Sequence, residues 1–198
     1  MKYLKLAFTI SLVVFFSGCA HVISNDYDHY LMNNEGGYKL QYTNLVAEYV
    51  LTPNTVNHNY EFRAATAGYA HLWIVNFGKM LEQTLESKDV QSAFNKLSKA
   101  NGNSSPGVLA IKFNLLDYKF EGFEARVRLQ ITASKDSSIL FDQTYYETGI
   151  SQGGKLFLAG TFGMKNAIQQ STKSAIDRIL SRSLNDMASI IIIATCFG

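Results

Sequence analysis

Two stretches in the second half of the chain alternate strictly between apolar and polar residues, and this alternation constrains the fold most. The first is LAIKFNLL, whose odd-numbered residues Leu109 to Leu115 are apolar. The second runs from Phe123 to Ala133 with an apolar residue at every odd position and with Glu124 among the polar residues between them. A period of two is typical of antiparallel strands with one buried and one solvated face. We therefore predict two neighbouring strands here.

A third strand and a long helix are predicted after this pair. The sequence KDSS at 135–138 is typical of a hairpin turn, so ILFDQTYYE is expected to return as a third strand. From residue 164 to residue 189, small and apolar residues recur at spacings of three and four. This spacing predicts a helix with one face packed on the sheet. The residues predicted to lie on the opposite, solvated face of this helix are Lys173, Asp177, Arg178 and Arg182.

The first half of the chain is less regular. A strand with a bulge near Asn44 is predicted within KLQYTNLVAEYVLT, and a short strand is predicted around 60–64. An amphipathic helix is predicted from about Leu72 to Glu86, followed by a second short helix with Ser87 as its N-cap. This order of elements predicts an α+β fold in which two or three helices pack on one face of an antiparallel sheet.

The N-terminus, MKYLKLAFTISLVVFFSGCAH, has the organisation of a secretory signal. Lys2 and Lys5 precede an eleven-residue apolar run from Leu6 to Phe16, which is too short to favour a membrane-spanning helix. The quartet FSGC at 16–19 resembles the lipobox of bacterial lipoproteins, with Phe16 where the family usually has leucine. This resemblance implies cleavage before Cys19 and attachment of lipid to its thiol. An ordinary cleaved signal peptide is the alternative.

The lipobox resemblance sets the expected domain organisation and location. Residues 1–18 are expected to be a lipoprotein signal peptide, 19–37 a flexible tether rich in Asn, Asp and Gly, and 38–198 one globular domain. Two or three acyl chains on Cys19 would anchor the protein firmly in a membrane. Because Ala20 follows the cysteine, the resemblance implies the outer membrane, with the domain expected to face the periplasm.

The net charge and the remaining cysteine limit the kinds of partner that are expected. Without Lys2 and Lys5, the chain from Cys19 has 16 basic and 16 acidic residues, so no nucleic acid partner is expected. Lipidation of Cys19 would leave Cys196 without an intramolecular partner. Because Cys196 stands in an apolar tail, we expect it to be buried; intermolecular bonding is the alternative.

The stretch GISQGGKL, residues 149–156, has the glycine and lysine spacing of a phosphate-binding loop. Leu156 stands where the motif needs a serine or threonine for magnesium, and the glycine-containing LFLAGTFG that follows is a poor first helical turn. We therefore expect no nucleotide and no cofactor. We interpret the stretch instead as a flexible loop that connects the last strand to the last helix and is longer than such connections usually are.

This glycine-rich connection, residues 149–163, is the candidate site for a partner. Lys155, Phe157 and Phe162 are the candidate partner-binding residues, with the two phenylalanines as apolar anchors for an envelope protein or lipid. The alternative is that these aromatic residues only pack over the end of the helix.

The sequence contains no recognisable catalytic constellation. None of the four histidines has the spacing to another histidine or cysteine that a zinc site needs, and no GxSxG motif occurs. The acidic residues that could in principle pair as catalytic carboxylates are expected instead to lie on solvated strand faces. They are Asp117, Glu121, Glu124 and Glu147.

The order of elements over residues 105–190 resembles small Gram-negative lipoproteins of the YajG kind and the auxiliary lipoproteins of ABC-type envelope transporters. What carries the resemblance is the strand pair and closing helix, FNLLDYKFEGFEARVRLQITASKDSSILFDQTYYETG and AIQQSTKSAIDRILSRSLNDM. It implies a non-enzymatic accessory role in the cell envelope. We therefore predict a lipid-anchored periplasmic binding or assembly module; the alternatives are a small hydrolase acting on an envelope polymer and a surface-exposed adhesin.

Overall fold

The computed structural model describes residues 19–64, 69–100, 104–152 and 160–196, the last helix by its backbone alone beyond residue 189. The predicted signal peptide 1–18 and the loop residues Lys155 and Phe157 lie outside the described residues, as does the side chain of Cys196. Within the described part, eight strands and several helices form an α+β fold, as predicted.

The strands form two mixed sheets. The larger has the order β5-β2-β6-β7-β8 and the smaller the order β1-β4-β3. The strands of the larger sheet are β2 (Val46–Leu51), β5 (Lys96–Lys99), β6 (Leu109–Glu121), β7 (Glu124–Lys135) and β8 (Ser138–Thr148). The strands of the smaller sheet are β1 (Ala20–Val22), β3 (Tyr60–Phe62) and β4 (Leu72–Val75).

The predicted three-stranded meander is confirmed as β6, β7 and β8, which pair in antiparallel register. Asp136 and Ser137 have positive φ angles of 48° and 67° in the hairpin between β7 and β8. A bulge between Leu115 and Asp117 shifts the side-chain alternation of β6 by one residue. As a result, Tyr118 and Phe120 face the core together with the apolar residues before the bulge.

The prediction of a purely antiparallel sheet is wrong, because β2 runs parallel to both β5 and β6. Parallel neighbours need a crossover connection, and the chain between β2 and β5 supplies one that contains β3, β4 and three helices. Asn44, where the sequence predicted an irregularity, has a left-handed φ of 53°, and β2 begins only after it.

The helices, numbered along the chain, vary widely in length. They are α1 (Tyr27–Asn33), α2 (Pro53–Val56), α3 (Phe77–Glu86), α4 (Lys88–Gln91) and α5 (Gly160–Cys196), and a 3-10 helix, Ile23–Asp26, precedes α1. The predicted helix from Leu72 is wrong for its first turn, since Leu72–Val75 is β4. That stretch alternates in burial and pairs with β1 on one side and β3 on the other, which a helix could not do.

Helices α3 and α5 pack on the same face of the larger sheet, as predicted. The hydroxyl of Tyr49 on β2 donates to Glu86 of α3 at 3.0 Å, and the hydroxyl of Tyr118 on β6 lies 2.9 Å from that of Thr172 on α5. The side chains between sheet and helices form one hydrophobic cluster that includes Trp73, Phe77 and Ile111.

The prediction of a flexible tether at 19–37 is wrong for most of its length. Residues 20–33 form β1, the 3-10 helix and α1. Ile23 and Tyr27 are fully buried, and Leu31 is 7% exposed. The Tyr27 hydroxyl lies 3.2 Å from that of Thr84, so α1 is held against α3. The N-terminal segment is therefore part of the folded core.

This segment also changes the environment of α5. Gln169 of α5 donates to the carbonyl of Ile23 at 3.3 Å, and Lys165 pairs with Asp26. The N-terminal segment therefore lies against one flank of α5. Lys173 and Asp177, predicted to be solvated, are buried, whereas Arg178 is half-buried and Arg182 is exposed.

Candidate functional site

The glycine that begins the apparent phosphate-binding motif has a packing role. Gly149 follows β8, and its N–H donates to the carbonyl of Ala125 at 2.8 Å. A Cβ at Gly149 would collide with the backbone carbonyl of Ser171 in the middle of α5. Only a residue without a side chain allows β8 to end this close to the helix. The need for glycine at 149 is therefore explained without a phosphate.

Of the three predicted partner-binding residues, only Phe162 falls in the described part of the chain. Its side chain is 77% exposed, the highest value among the large hydrophobic side chains described. Lys165, one turn later on α5, pairs with Asp26. Phe162 therefore projects into solvent at the start of α5, beside the N-terminal segment, and does not pack over the helix end.

Cys19, the predicted lipidation site, is exposed at the very start of the folded domain. Its carbonyl accepts a 3.0 Å hydrogen bond from the N–H of Leu72, and the pairing of β1 with β4 begins one residue later. Cys19 is therefore fixed to the smaller sheet by backbone hydrogen bonds, with no flexible spacer after it.

Two histidines and a tryptophan lie on or beside the paired strands next to Cys19. His21 Nε2 lies 2.8 Å from His71 Nδ1, and the His21 ring stacks on Trp73 at a centroid distance of 4.5 Å. Burial, His71 and Lys165 all lower the pKa of His21. The Trp73 Nε1 atom is buried and has no hydrogen-bond partner among the described residues. The lowered pKa favours the neutral form of His21 in its contact with His71.

The helix α1, only eight residues after Cys19, separates two grooves. The first, the acidic groove, has a volume of about 390 Å³ and lies between α1 and the α3–α4 region. It is lined by Asp28, Leu31, Met32, Glu35, Gln83, Glu86, Ser87, Lys88 and Asp89. The second, the amide groove, has a volume of about 430 Å³ and lies between α1 and α5. It is lined by Asp26, His29, Tyr30, Asn33, Asn34, Gln152, Lys165, Asn166, Gln169 and Gln170.

Much of the amide groove is occupied by its own hydrogen bonds. Gln170 accepts from the N–H of Gln152 at 2.8 Å, and Asn34 donates to the carbonyl of Tyr30 at 2.8 Å. Gln169 donates to the carbonyl of Ile23. These bonds join α5 to the residues after β8 and to the 3-10 helix and close the last turn of α1, so several polar side chains of this groove are already paired.

A buried charge cluster lies between the two grooves. Lys173 Nζ donates to Asp177 Oδ2 at 2.6 Å and lies 3.9 Å from Asp89 Oδ2, which lines the acidic groove. Burial raises the pKa of Asp177, although Lys173 opposes the shift. Burial and Asp177 raise the pKa of Tyr30, in the amide groove, to about 12. Tyr30 is therefore a neutral hydroxyl group.

Three of the four acidic residues considered as catalytic candidates are paired or exposed away from the grooves, whereas Asp117 is half-buried on β6. Glu121 pairs with Arg126 at 3.3 Å, and Glu147 pairs with Arg182 of α5 at 2.5 Å. Glu124 is exposed on the sheet. Within the described ranges, no group of three or more His, Cys, Asp and Glu residues is arranged to hold a metal ion.

Neither groove was predicted from the sequence, because the residues of α1 were assigned to a tether. A signal was present: Ile23, Tyr27 and Leu31 recur at intervals of four, the spacing of one helical face. The surrounding Asp and Asn residues obscured this short pattern.

Comparisons with known proteins give little further information. No family model matches the chain, and no curated protein matches it. Among solved structures, it is similar to the crystal structure of protein XCC0632 from Xanthomonas campestris, of family DUF330, with a TM-score of 0.44 and 10% sequence identity. The match covers 76% of this chain and 88% of that chain. No helix among the described residues is both long and apolar enough to cross a membrane.

Proposed function

We propose that this chain is a lipid-anchored, non-enzymatic binding or assembly module of the bacterial cell envelope, held at the outer membrane and facing the periplasm. The observation that carries the proposal is the direct connection between the lipidation site and the two grooves. Cys19 is exposed; α1, which follows it, lines both grooves, and Asp26 of the 3-10 helix lines the amide groove.

The FSGC quartet and the position of Cys19 support the anchor. A lipidated cysteine must be reachable by the enzymes that modify it, and Cys19 is exposed. The hydrogen bond between Leu72 and Cys19 then holds the lipid close to the smaller sheet. A short, fixed connection keeps the domain near the bilayer surface, where other envelope proteins and lipids are its neighbours.

The contacts of the titratable groups support binding over catalysis. The pairs Lys173–Asp177 and Arg182–Glu147 each join oppositely charged side chains. The neutral His21 is bonded to His71 and stacked on Trp73. Titratable groups that are paired in this way stabilise the fold. A catalytic acid or base, by contrast, must be free to face a substrate.

The exposed Phe162 supports a partner contact near the start of α5. An apolar side chain that is 77% exposed loses no internal packing when a partner covers it, and its burial is favourable by about 2 kcal/mol. Lys155 and Phe157 remain part of this proposed contact on the strength of the sequence.

Site-specific photo-crosslinking in cells tests this function. A photoreactive amino acid is placed at Phe162 or Met32, and at Val56 as a control that is 53% exposed on the distant α2. We expect a discrete adduct from position 162 or 32, none from 56, and loss of the adduct in a Cys19→Ser variant that is released from membranes. Membrane release without any adduct from 162 or 32 would contradict the binding function while leaving the anchor intact.

A further inference from the structure

The acidic groove concentrates negative charge in a chain that is otherwise balanced. Four carboxylates line it against one ammonium group, whereas the chain from Cys19 onward has equal numbers of acidic and basic residues. The charged lining residues are Asp28, Glu35, Glu86, Lys88 and Asp89. The negative potential is therefore a local property of this groove.

Three of the four carboxylates have internal partners. Glu35 pairs with Lys88 at 3.1 Å, and Glu86 accepts from the Tyr49 hydroxyl. Asp89 accepts from the N–H of Gly36 at 2.8 Å. The side chain of Asp28 forms no hydrogen bond or ion pair with any described residue, and it is exposed at the groove. One carboxylate is thus free to pair with a ligand.

The groove also holds an unpaired hydrogen-bond acceptor. Gln83 lines it, and Gln83 Oε1 is buried without a hydrogen-bond partner among the described residues. A buried acceptor without a donor destabilises the free protein. Because the terminal torsion of glutamine is broad, a small rotation can present this oxygen to a donor in the groove.

Apolar side chains complete the lining. Leu31 is buried at the base of α1, whereas the neighbouring Met32 is 64% exposed. Methionine is flexible and polarisable, so it adapts to different apolar surfaces. A groove with a free carboxylate, an unpaired acceptor and an exposed methionine is complementary to a positively charged group at the end of an apolar stem.

We propose that the acidic groove binds a lysine or arginine side chain, flanked by apolar residues, from a segment of an envelope protein. This inference deepens the proposed function and rests on it. An arginine guanidinium has five donors in one plane, so it can pair with Asp28 and donate to Gln83 together. The stem of either side chain would lie along Met32.

A matched pair of small probes tests the ligand class on the full chain, purified from membranes in an uncharged detergent. Benzamidine is an aromatic cation, and benzamide is its neutral counterpart of nearly the same shape. Saturation-transfer NMR measures the affinity of each. We expect benzamidine to bind at least about tenfold more tightly than benzamide, because its hydrogen bonds are charge-assisted.

Two variants locate the binding. Asp28→Asn is expected to reduce benzamidine affinity at least about tenfold, whereas Glu124→Gln, an exposed control on the sheet, leaves it unchanged. Gln83→Met is expected to weaken benzamidine binding and yet to raise the midpoint of thermal unfolding, because it removes the unpaired acceptor. A merely structural role for Gln83 would not move these two readouts in opposite directions.

Two results would overturn the inference. One is equal affinity for benzamidine and benzamide; the other is benzamidine binding that Asp28→Asn and Gln83→Met leave unchanged in folded protein. If the Cys19→Ser substitution still releases the chain from membranes, either result would reject the proposed ligand class and leave the proposed anchor standing. Retention of the Cys19→Ser chain in membranes would instead contradict the proposed anchor.

Discussion

Lys173 Nζ and Asp177 Oδ2 lie 2.6 Å apart one turn from each other on α5, with only 8% and 6% of their side chains exposed. They form an ion pair inside the protein, where Lys173 Nζ also lies 3.9 Å from Asp89 Oδ2 and where burial and Asp177 raise the pKa of Tyr30 on α1. Removing one partner of a buried pair leaves the other charge without compensation, which costs more than the pair itself contributes.

We predict that Lys173→Met lowers the free energy of unfolding by about 3–5 kcal/mol, because Asp177 and the nearby Asp89 lose their cation. Lys112→Met, on the exposed face of β6, is expected to change it by less than about 0.5 kcal/mol. Urea unfolding followed by circular dichroism measures both. Equal effects of the two substitutions would show that Lys173 is not buried in solution.

Adjacent positions on α1 test whether the N-terminal segment belongs to the core. Leu31→Ala is expected to lower the free energy of unfolding by about 2–5 kcal/mol, because Leu31 is 7% exposed. Met32→Ala, at a position that is 64% exposed, should change it by less than about 0.5 kcal/mol. A flexible tether would make both substitutions neutral in the same urea experiment.

The close approach of Gly149 to Ser171 predicts a large effect of a single methyl group. Gly149→Ala places a Cβ against the backbone of α5, and we expect a loss of at least about 3 kcal/mol. Gly107→Ala is the control, because Gly107 has a φ of +75° and open space around its Cβ position. The control should lose only about 1–2 kcal/mol, the cost of the left-handed conformation. A Gly149→Ala protein as stable as the control would refute the close packing.

The histidine pair beside Cys19 predicts a pH dependence. Burial and the neighbouring His71 and Lys165 lower the pKa of His21, so the folded state binds its proton less readily than the unfolded state. The free energy of unfolding should therefore fall as the pH drops below the ordinary value of 6.5 and through the lower folded value.

His21→Gln is expected to reduce this loss of stability in acid, whereas His29→Gln, at an exposed position on α1, should leave the wild-type pH profile unchanged. Thermal unfolding across this pH range measures the profiles. A His21→Gln profile identical to that of the wild type would exclude His21 as a source of the pH dependence.

The sequence predicted the parts of the fold whose signal is local. The alternation from Leu109 to Ala133 identified β6 and β7, because each residue faces either core or solvent. The parallel pairing of β2 could not be predicted, since nothing within β2 specifies its neighbours. The strand β4 was mistaken for helix because Trp73 and Phe77 happen to lie four residues apart.

The errors around the candidate site have one origin. Assigning 19–37 to a tether removed α1 from the fold, and α1 lines both grooves and carries Tyr30, whose pKa is raised by burial and by the buried Asp177. Burial of a charged residue depends on what the distant chain places over it, which periodicity within one helix does not reveal.

Mass spectrometry of the chain purified from membranes is the direct test of a lipid anchor at Cys19. We expect an N-terminal peptide that begins at Cys19, lacks residues 1–18 and carries a diacylglycerol thioether on the cysteine sulfur. A chain that retains Met1, or one that is cut elsewhere with the Cys19 thiol unmodified, would contradict it.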